Sequence, residues 1–207
     1  MTNTYRAARA ISLLYFKLFH RFRVLGLEHT PEEGAFLLAS NHTSFLDPPA
    51  LGCRLPRDLH YFARSSLFQG VFGKLIKALN SIPLDRENTD ITSFKRALKV
   101  LDKGSPLLVF PEGTRSPDGN LQPAKRGIGL LACKAKAPVL PARIFGSFEA
   151  FGKKMKCPKL GTRITVVYGP LLAIEDIDPG TSAGKRFDRI AENIMQAIAD
   201  LQMKNAS

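Results

Sequence analysis

The stretch Ala35-Phe36-Leu37-Leu38-Ala39-Ser40-Asn41-His42-Thr43-Ser44-Phe45-Leu46-Asp47 decides how the chain folds. It opens on an apolar run of strand length and continues into a polar segment carrying a histidine and, five positions on, an aspartate. On one continuous α-helix, residues five apart point about 140° away from each other, so imidazole and carboxylate could not meet. Across a strand-to-helix turn they can. In that arrangement Ser44 is expected to cap the helix and Asp47 to lie in its first turn, accepting a hydrogen bond from His42 Nδ1. Such a bond fixes the tautomer that leaves Nε2 free as a base, and the carboxylate stabilises the imidazolium formed when the base takes a proton. The same residues also suit a plain Ser44/Asp47 capping pair beside an incidental loop histidine.

Outward from this turn, apolar runs predict further strands at 22–27, 59–63, 106–110, 138–145 and 162–168. Between them, Leu67, Phe68, Val71, Phe72, Leu75, Ile76 and Leu79 recur at helical spacing, as do Ile91, Phe94, Leu98 and Leu101, and Phe187, Ile190, Ile194, Ile198 and Leu201. Strands alternating with helices predict an α/β domain with a largely parallel or mixed central sheet flanked by helices. Ahead of it, residues 5–22 place Ile11, Leu14, Tyr15, Leu18 and Phe22 on one helical stripe and Arg6, Arg9, Lys17 and Arg21 opposite. Leu13 and Phe16 make its other side more apolar than a surface helix tolerates. Residues 1–24 are therefore expected to form an amphipathic membrane-associating helix, contacting lipid through Arg6, Arg9 and the stripe, and residues 25–207 the folded domain. A helix packed on the core is the plainer alternative.

The chain of 207 residues carries a formal charge of +12, which calls for an anionic partner: nucleic acid, an anionic membrane or a phosphate-rich substrate. Met1–Leu27 has no acidic residue, and Gly119–Ile174 has Glu149 against ten lysines and arginines. Cys53, Cys133 and Cys157 are far apart, with no CxxC pair and no histidine at ligand spacing, so free thiols and no metal site are expected. No apolar run reaches the length of a spanning helix, and Lys17 interrupts anything like a signal peptide.

Three more segments carry charge at strand exits or helix starts. Phe110-Pro111-Glu112-Gly113-Thr114-Arg115-Ser116 follows an apolar run, and Gly113 would let the backbone turn tightly and offer N–H groups to an anion beside the Arg115 guanidinium. Ile82-Pro83-Leu84-Asp85-Arg86 is a second apolar run ending in a cation. Lys125, in Pro123-Ala124-Lys125-Arg126-Gly127, sits where a helix dipole already favours an anion.

Together with Val139-Leu140-Pro141-Ala142, these segments have the order and rough spacing of the four blocks of the glycerolipid acyltransferases. From about Leu25 to Gly169 the chain resembles that family, and within it the 1-acyl-sn-glycerol-3-phosphate type. The resemblance implies His42 as catalytic base and Asp47 as its orienting partner. It implies that Arg86, Glu112, Gly113, Thr114 and Arg115 form or support an acceptor-phosphate site, joined by Lys125, which is similar to a basic residue often found downstream of that block. It also implies transfer from acyl-CoA or acyl carrier protein to the sn-2 hydroxyl of lysophosphatidic acid, giving phosphatidic acid without a bound cofactor. A peripheral or monotopic place on an anionic membrane surface, the cytoplasmic face of a bacterial cell membrane, would follow, with no nucleic-acid partner. Asn80, Ala124 and Ser66 depart from the residues common at their positions and border the acceptor and acyl sites.

No GxSxG elbow is present, and Ser147 in Gly146-Ser147-Phe148 lacks the second glycine, so direct transfer is expected rather than an acyl-enzyme. A related enzyme with another acceptor, such as glycerol-3-phosphate, a lysophospholipid or an aminolipid, is the nearest rival, and the short N-terminal segment favours the lysophosphatidate type. A non-catalytic basic binding protein is the rival from another class; intact His42 and Asp47 oppose it.

Overall fold

In the computed structural model, which describes residues 2–84, 91–180 and 184–203, the apolar runs become strands β1 (Arg21–Leu25), β2 (Leu37–Ser40), β3 (His60–Arg64), β4 (Ser81–Leu84), β5 (Leu107–Val109), β6 (Val139–Phe145) and β7 (Arg163–Tyr168). They form one sheet in the order β1-β7-β6-β2-β5-β3-β4. Only the β6/β7 pair is antiparallel. The helices are α1 (Asn3–Phe19), α2 (Asp47–Gly52), α3 (Gly70–Ala78), α4 (Ile91–Asp102), α5 (Arg126–Ala135), α6 (Ser147–Phe151), α7 (Ile174–Ile177) and α8 (Arg186–Asp200).

Alternation along β2 explains the layers, because successive side chains of a strand point to opposite faces. Leu37 and Ala39 pack with Ala97 and Leu101 of α4, Ile128 and Leu131 of α5, and Ile190, Ile194 and Ile198 of α8. Phe36 and Leu38 pack on the other face with Phe16 of α1 and Ala50 and Leu51 of α2. The neighbouring parallel strands β2 and β5 thus send their helices to opposite faces. Where that happens, a crevice opens beyond the carboxyl ends of the strands, the usual place for a ligand in open α/β sheets. His42 and Phe110 stand at those two ends.

The expected α/β sheet is present, with three local departures. Ile82-Pro83-Leu84 lies in a strand that the apolar pattern alone did not predict; Pro83 argues against a central strand, yet β4 is at the sheet edge, where a missing N–H costs no ladder bond. Helix α1 stops at Phe19, and Phe22 belongs to β1, its ring stacked on Phe16 at 4.8 Å within the core. Phe22 is therefore no part of an outward stripe, and the strand pairing of β1 with β7 places residues 21–24 in the sheet rather than in the N-terminal helix. The helical stripe from Leu67 to Leu79 is broken into a 3-10 turn at Ser65–Leu67 and the shorter α3, of which only Gly73 and Ile76 are buried.

Helix α1 is held on the domain by its minor apolar side. Phe16 is buried, and Tyr5, also buried, accepts a hydrogen bond at its hydroxyl from Leu59 N at 2.8 Å. Burial pushes the Tyr5 phenol up to about 12, so it stays neutral there. The expected stripe of Ile11, Leu14 and Leu18 faces outward, 57–69% exposed. Tyr15 is half-buried, its ring edge-on to Phe16 and tilted against Phe19. Among the described residues no helix is long and apolar enough to cross a membrane.

Candidate active site

Asn41 sets the position of everything after β2. Its side chain imitates a strand residue, donating from Nδ2 to Ile144 O at 3.0 Å and accepting Ile144 N–H at Oδ1 at 2.8 Å. The chain then turns so that His42 Nδ1 lies 2.8 Å from Asp47 Oδ2. That same oxygen accepts the backbone N–H groups of Thr43 and Ser44, each at 2.7 Å. The fully buried carboxylate gathers these three donors on Oδ2, which offsets part of the cost of keeping it out of water, while Oδ1 is enclosed with no hydrogen-bond partner among the described residues. Asp47 is the first residue of α2, as the spacing predicts, but Ser44 does not cap the helix. Its hydroxyl accepts Leu46 N–H and donates to Phe151 O instead, tying the turn to α6.

The loop after β5 closes over the other side of His42. The Phe110 ring stacks on the imidazole at 3.9 Å between centroids, 12° from parallel. Ser116 N–H donates to His42 O at 2.7 Å, and His42 N–H donates to Glu112 Oε1 at 3.2 Å. Glu112, 2% exposed, thus holds the histidine backbone. Burial pushes its carboxyl up to about 7; the Asp47 charge adds to the shift and the His42 N–H opposes it. Gly113 also plays another part than expected. Its φ of +68° permits the turn, but its N–H donates to Phe110 O within the loop rather than being offered to an anion. A side chain at Gly113 would collide with the Lys125 side chain, whose Cδ lies 2.9 Å from where a Cβ would stand. The structure therefore brings Lys125 onto the predicted loop.

Arg115 and His42 line one cavity of about 480 Å³, together with Phe45, Tyr61, Arg64 and Phe110. The Arg115 guanidinium sits over the Phe45 ring, 3.5 Å from its centroid. Thr114 is half-buried beside it, and Arg86 lies outside the described residues. A second, apolar cavity of about 260 Å³ shares Pro48, Pro49, Tyr61, Phe72 and Ile76 with the first and extends to Tyr5 and Ala8 of α1.

Sequence reasoning missed Phe110, Phe45 and Arg64. For Arg64 a signal existed, a cation at the exit of a predicted strand; the stacking of Phe110 depends on two loops meeting and has no local signature. Ser147 is fully buried and shares a hydrogen bond with Thr43 Oγ1 at 2.8 Å, which removes it as a nucleophile. No cluster of three or more His, Cys, Asp or Glu side chains able to hold a metal occurs among the described residues.

A base oriented by a carboxylate, in a cavity with a cation, suits proton abstraction from a hydroxyl of an anionic substrate. The acyltransferase family model matches residues 21–145, which contain every group of this site. The chain belongs to the acyltransferase family. A 1-acyl-sn-glycerol-3-phosphate acyltransferase of Bacillus subtilis (strain 168) is 36% identical over 184 residues, 88% of either chain. One of Pseudomonas aeruginosa is 30% identical over 89% of this acyltransferase and 72% of its own length. In fold, the acyltransferase is similar to the crystal structure of the PlsC acyltransferase from Thermotoga maritima, with a TM-score of 0.80 over 98% of this chain and 81% of that one at 23% identity.

Proposed function

We propose that this acyltransferase moves a fatty acyl group from a thioester donor to the sn-2 hydroxyl of 1-acyl-sn-glycerol-3-phosphate. The observation that carries the proposal is the 2.8 Å bond between His42 Nδ1 and Asp47 at the mouth of a cavity that also holds Arg115. Nε2 of His42 takes the hydroxyl proton as the oxygen attacks the thioester carbonyl carbon. The tetrahedral intermediate collapses, the C–S bond breaks, and the imidazolium returns its proton to the leaving thiolate. No acyl-enzyme is needed, and no cofactor beyond the donor itself.

Arg115, with Lys125 beside its loop, would hold the acceptor phosphate, so that the hydroxyl is delivered in one orientation. Arg86 belongs to the same proposal by resemblance alone. The apolar cavity running from Pro48 and Phe72 toward α1 suits the donor acyl chain. The outward face of α1, with Ile11, Leu14 and Leu18 beside Arg6, suits an anionic membrane surface, where the acceptor resides.

The test is an acyl-transfer assay with purified protein across a panel of lysolipid acceptors and with both acyl-CoA and acyl carrier protein. Selective acylation of lysophosphatidate that disappears in His42→Ala is the expected result. Transfer to glycerol-3-phosphate or a lysophospholipid in preference would reassign the acceptor, and full activity in His42→Ala would remove the base.

A further inference from the structure

The catalytic cavity leaves one large concavity unused. A groove of about 790 Å³ wraps around edge strand β4, with α3 on one side and α4 on the other. Lys74 and Lys77 enter it from α3, Arg96 and Lys99 from α4, and Lys103 from the turn before β5. All five are exposed, none forms an ion pair among the described residues, and no described acidic residue lines the groove. Ile82, Pro83 and Val100 give it an apolar floor.

Lysines often guard a sheet edge against pairing with another chain, but a guard needs only one or two solvated charges on the strand itself. Here the charges come from helices on opposite faces of the sheet and converge on one concave space within the range of small-molecule sites. The combination of an apolar floor with five cations that have no acidic partner among the described residues matches a ligand with a flat ring and more than one phosphate. It matches a convex protein surface less well.

Its position relative to the base is the second argument. In the sheet, β4 is three strands from β2, about 14 Å, and His42 follows β2. Leu84, at the end of β4, lines the catalytic cavity, while Ile82 and Pro83 of the same strand line the groove. Helix α3 divides likewise: Phe72 and Ile76 face the catalytic cavity, Lys74 and Lys77 the groove. A thioester held at His42 with its phosphates in the groove must therefore carry a long linker between reacting carbon and phosphates. A pantetheine arm is such a linker.

We propose that the groove between α3 and α4 binds the adenosine phosphates of a coenzyme A thioester, making it the donor-recognition site. This rests on the thioester-donor function proposed above, but it can be tested without turnover. In calorimetric titration of the full chain, coenzyme A is expected to bind more tightly than 3′-dephospho-coenzyme A. Lys77→Ala and Arg96→Ala should each weaken coenzyme A by about ten-fold, as expected for a lost charge-assisted contact. Lys153→Ala, remote from the groove, serves as the charge-removal control, and circular dichroism checks the fold of each variant. In the transfer assay the two groove variants should raise KM for acyl-CoA and leave kcat and the KM for lysophosphatidate unchanged.

Coenzyme A affinity equal in wild type and both groove variants, or no binding by the wild type, overturns the proposal. So does a defect seen only with acyl carrier protein as donor, or only in flotation with phosphatidylglycerol vesicles, since each gives the groove another occupant. Groove-dependent coenzyme A binding in a protein that acylates no lysolipid would sink the proposed function and leave the groove assignment standing.

Discussion

The turn after β2 and the flank formed by α1 and α3 treat solvent in opposite ways. In the turn, polar groups are buried and paired: Asp47 is fully enclosed with three donors, and Asn41, Thr43 and Ser44 each have partners inside the domain. On the flank, apolar groups are exposed: Ile11 is 69% open, Val71 84% and Phe72 56%. Buried polar groups tied to neighbouring backbone by several hydrogen bonds hold one geometry, which a proton-transfer site needs. Exposed apolar side chains on two helices carry no such order, and under the proposed function they suit a lipid surface.

Substitutions can break each half of this contrast separately. The largest effect is expected at the base, where His42→Ala should lower kcat by about 10³-fold or more with little change in unfolding free energy. Asp47→Ala should lose activity as well, and it should also cost about 3 kcal/mol in a denaturant melt, because Thr43 and Ser44 N–H are left buried without an acceptor. Equal stability in both variants would mean that the carboxylate only orients the ring.

Glu112 sharpens the contrast through pH. Its carboxyl rises from 4.5 to about 7 on folding, so the folded state holds this proton more tightly than the unfolded chain. The stability it contributes is fully present below about pH 4.5 and is lost as pH rises toward 7. Glu112→Gln, which is neutral throughout, should flatten that part of the stability profile and make the variant the more stable protein at pH 8. Identical profiles for the two proteins between pH 4.5 and 8 would contradict the buried, protonated state.

The smallest stability effects belong to the flank. Replacing Ile11, Leu14 and Leu18 together by serine should reduce flotation with anionic vesicles several-fold, by roughly the loss of their buried apolar area, while each change stays within about 0.5 kcal/mol in stability. Val71→Ser should act in the same direction with a smaller loss. Unchanged flotation would return this surface to the class of scattered exposed hydrophobics.

How much of this was legible follows from how local each signal is. A spacing of five excludes one continuous helix but leaves a capping pair open, and the His42/Asp47 pair was readable only with the four-block resemblance beside it. The sheet was readable from its apolar runs, except at β4, where Pro83 masks a strand that the edge position tolerates. Which side of α1 meets the core was not readable, since Tyr5 and Phe16 compete with Ile11, Leu14 and Leu18 for that role and only the depth of the pocket beneath decides. The loop after β5 was recognised as part of the site, but its division of labour was not. That Glu112 bonds to His42 N–H, that Gly113 N–H bonds within its own loop, and that Phe110 stacks on His42 depend on two distant turns closing on each other.

One residue, His20, separates the end of α1 from the start of β1, and Gly161 N–H donates to Phe19 O across that junction. A helix joined to a sheet with so little slack works as a bracket rather than a tether. With α1 seated in the headgroup layer, the catalytic mouth would keep a fixed height and tilt above the lipid, and the substrate would have to rise to meet it. A glycine-serine spacer inserted after His20 would let the domain swivel freely, keeping the chemistry intact in detergent while slowing it on vesicles.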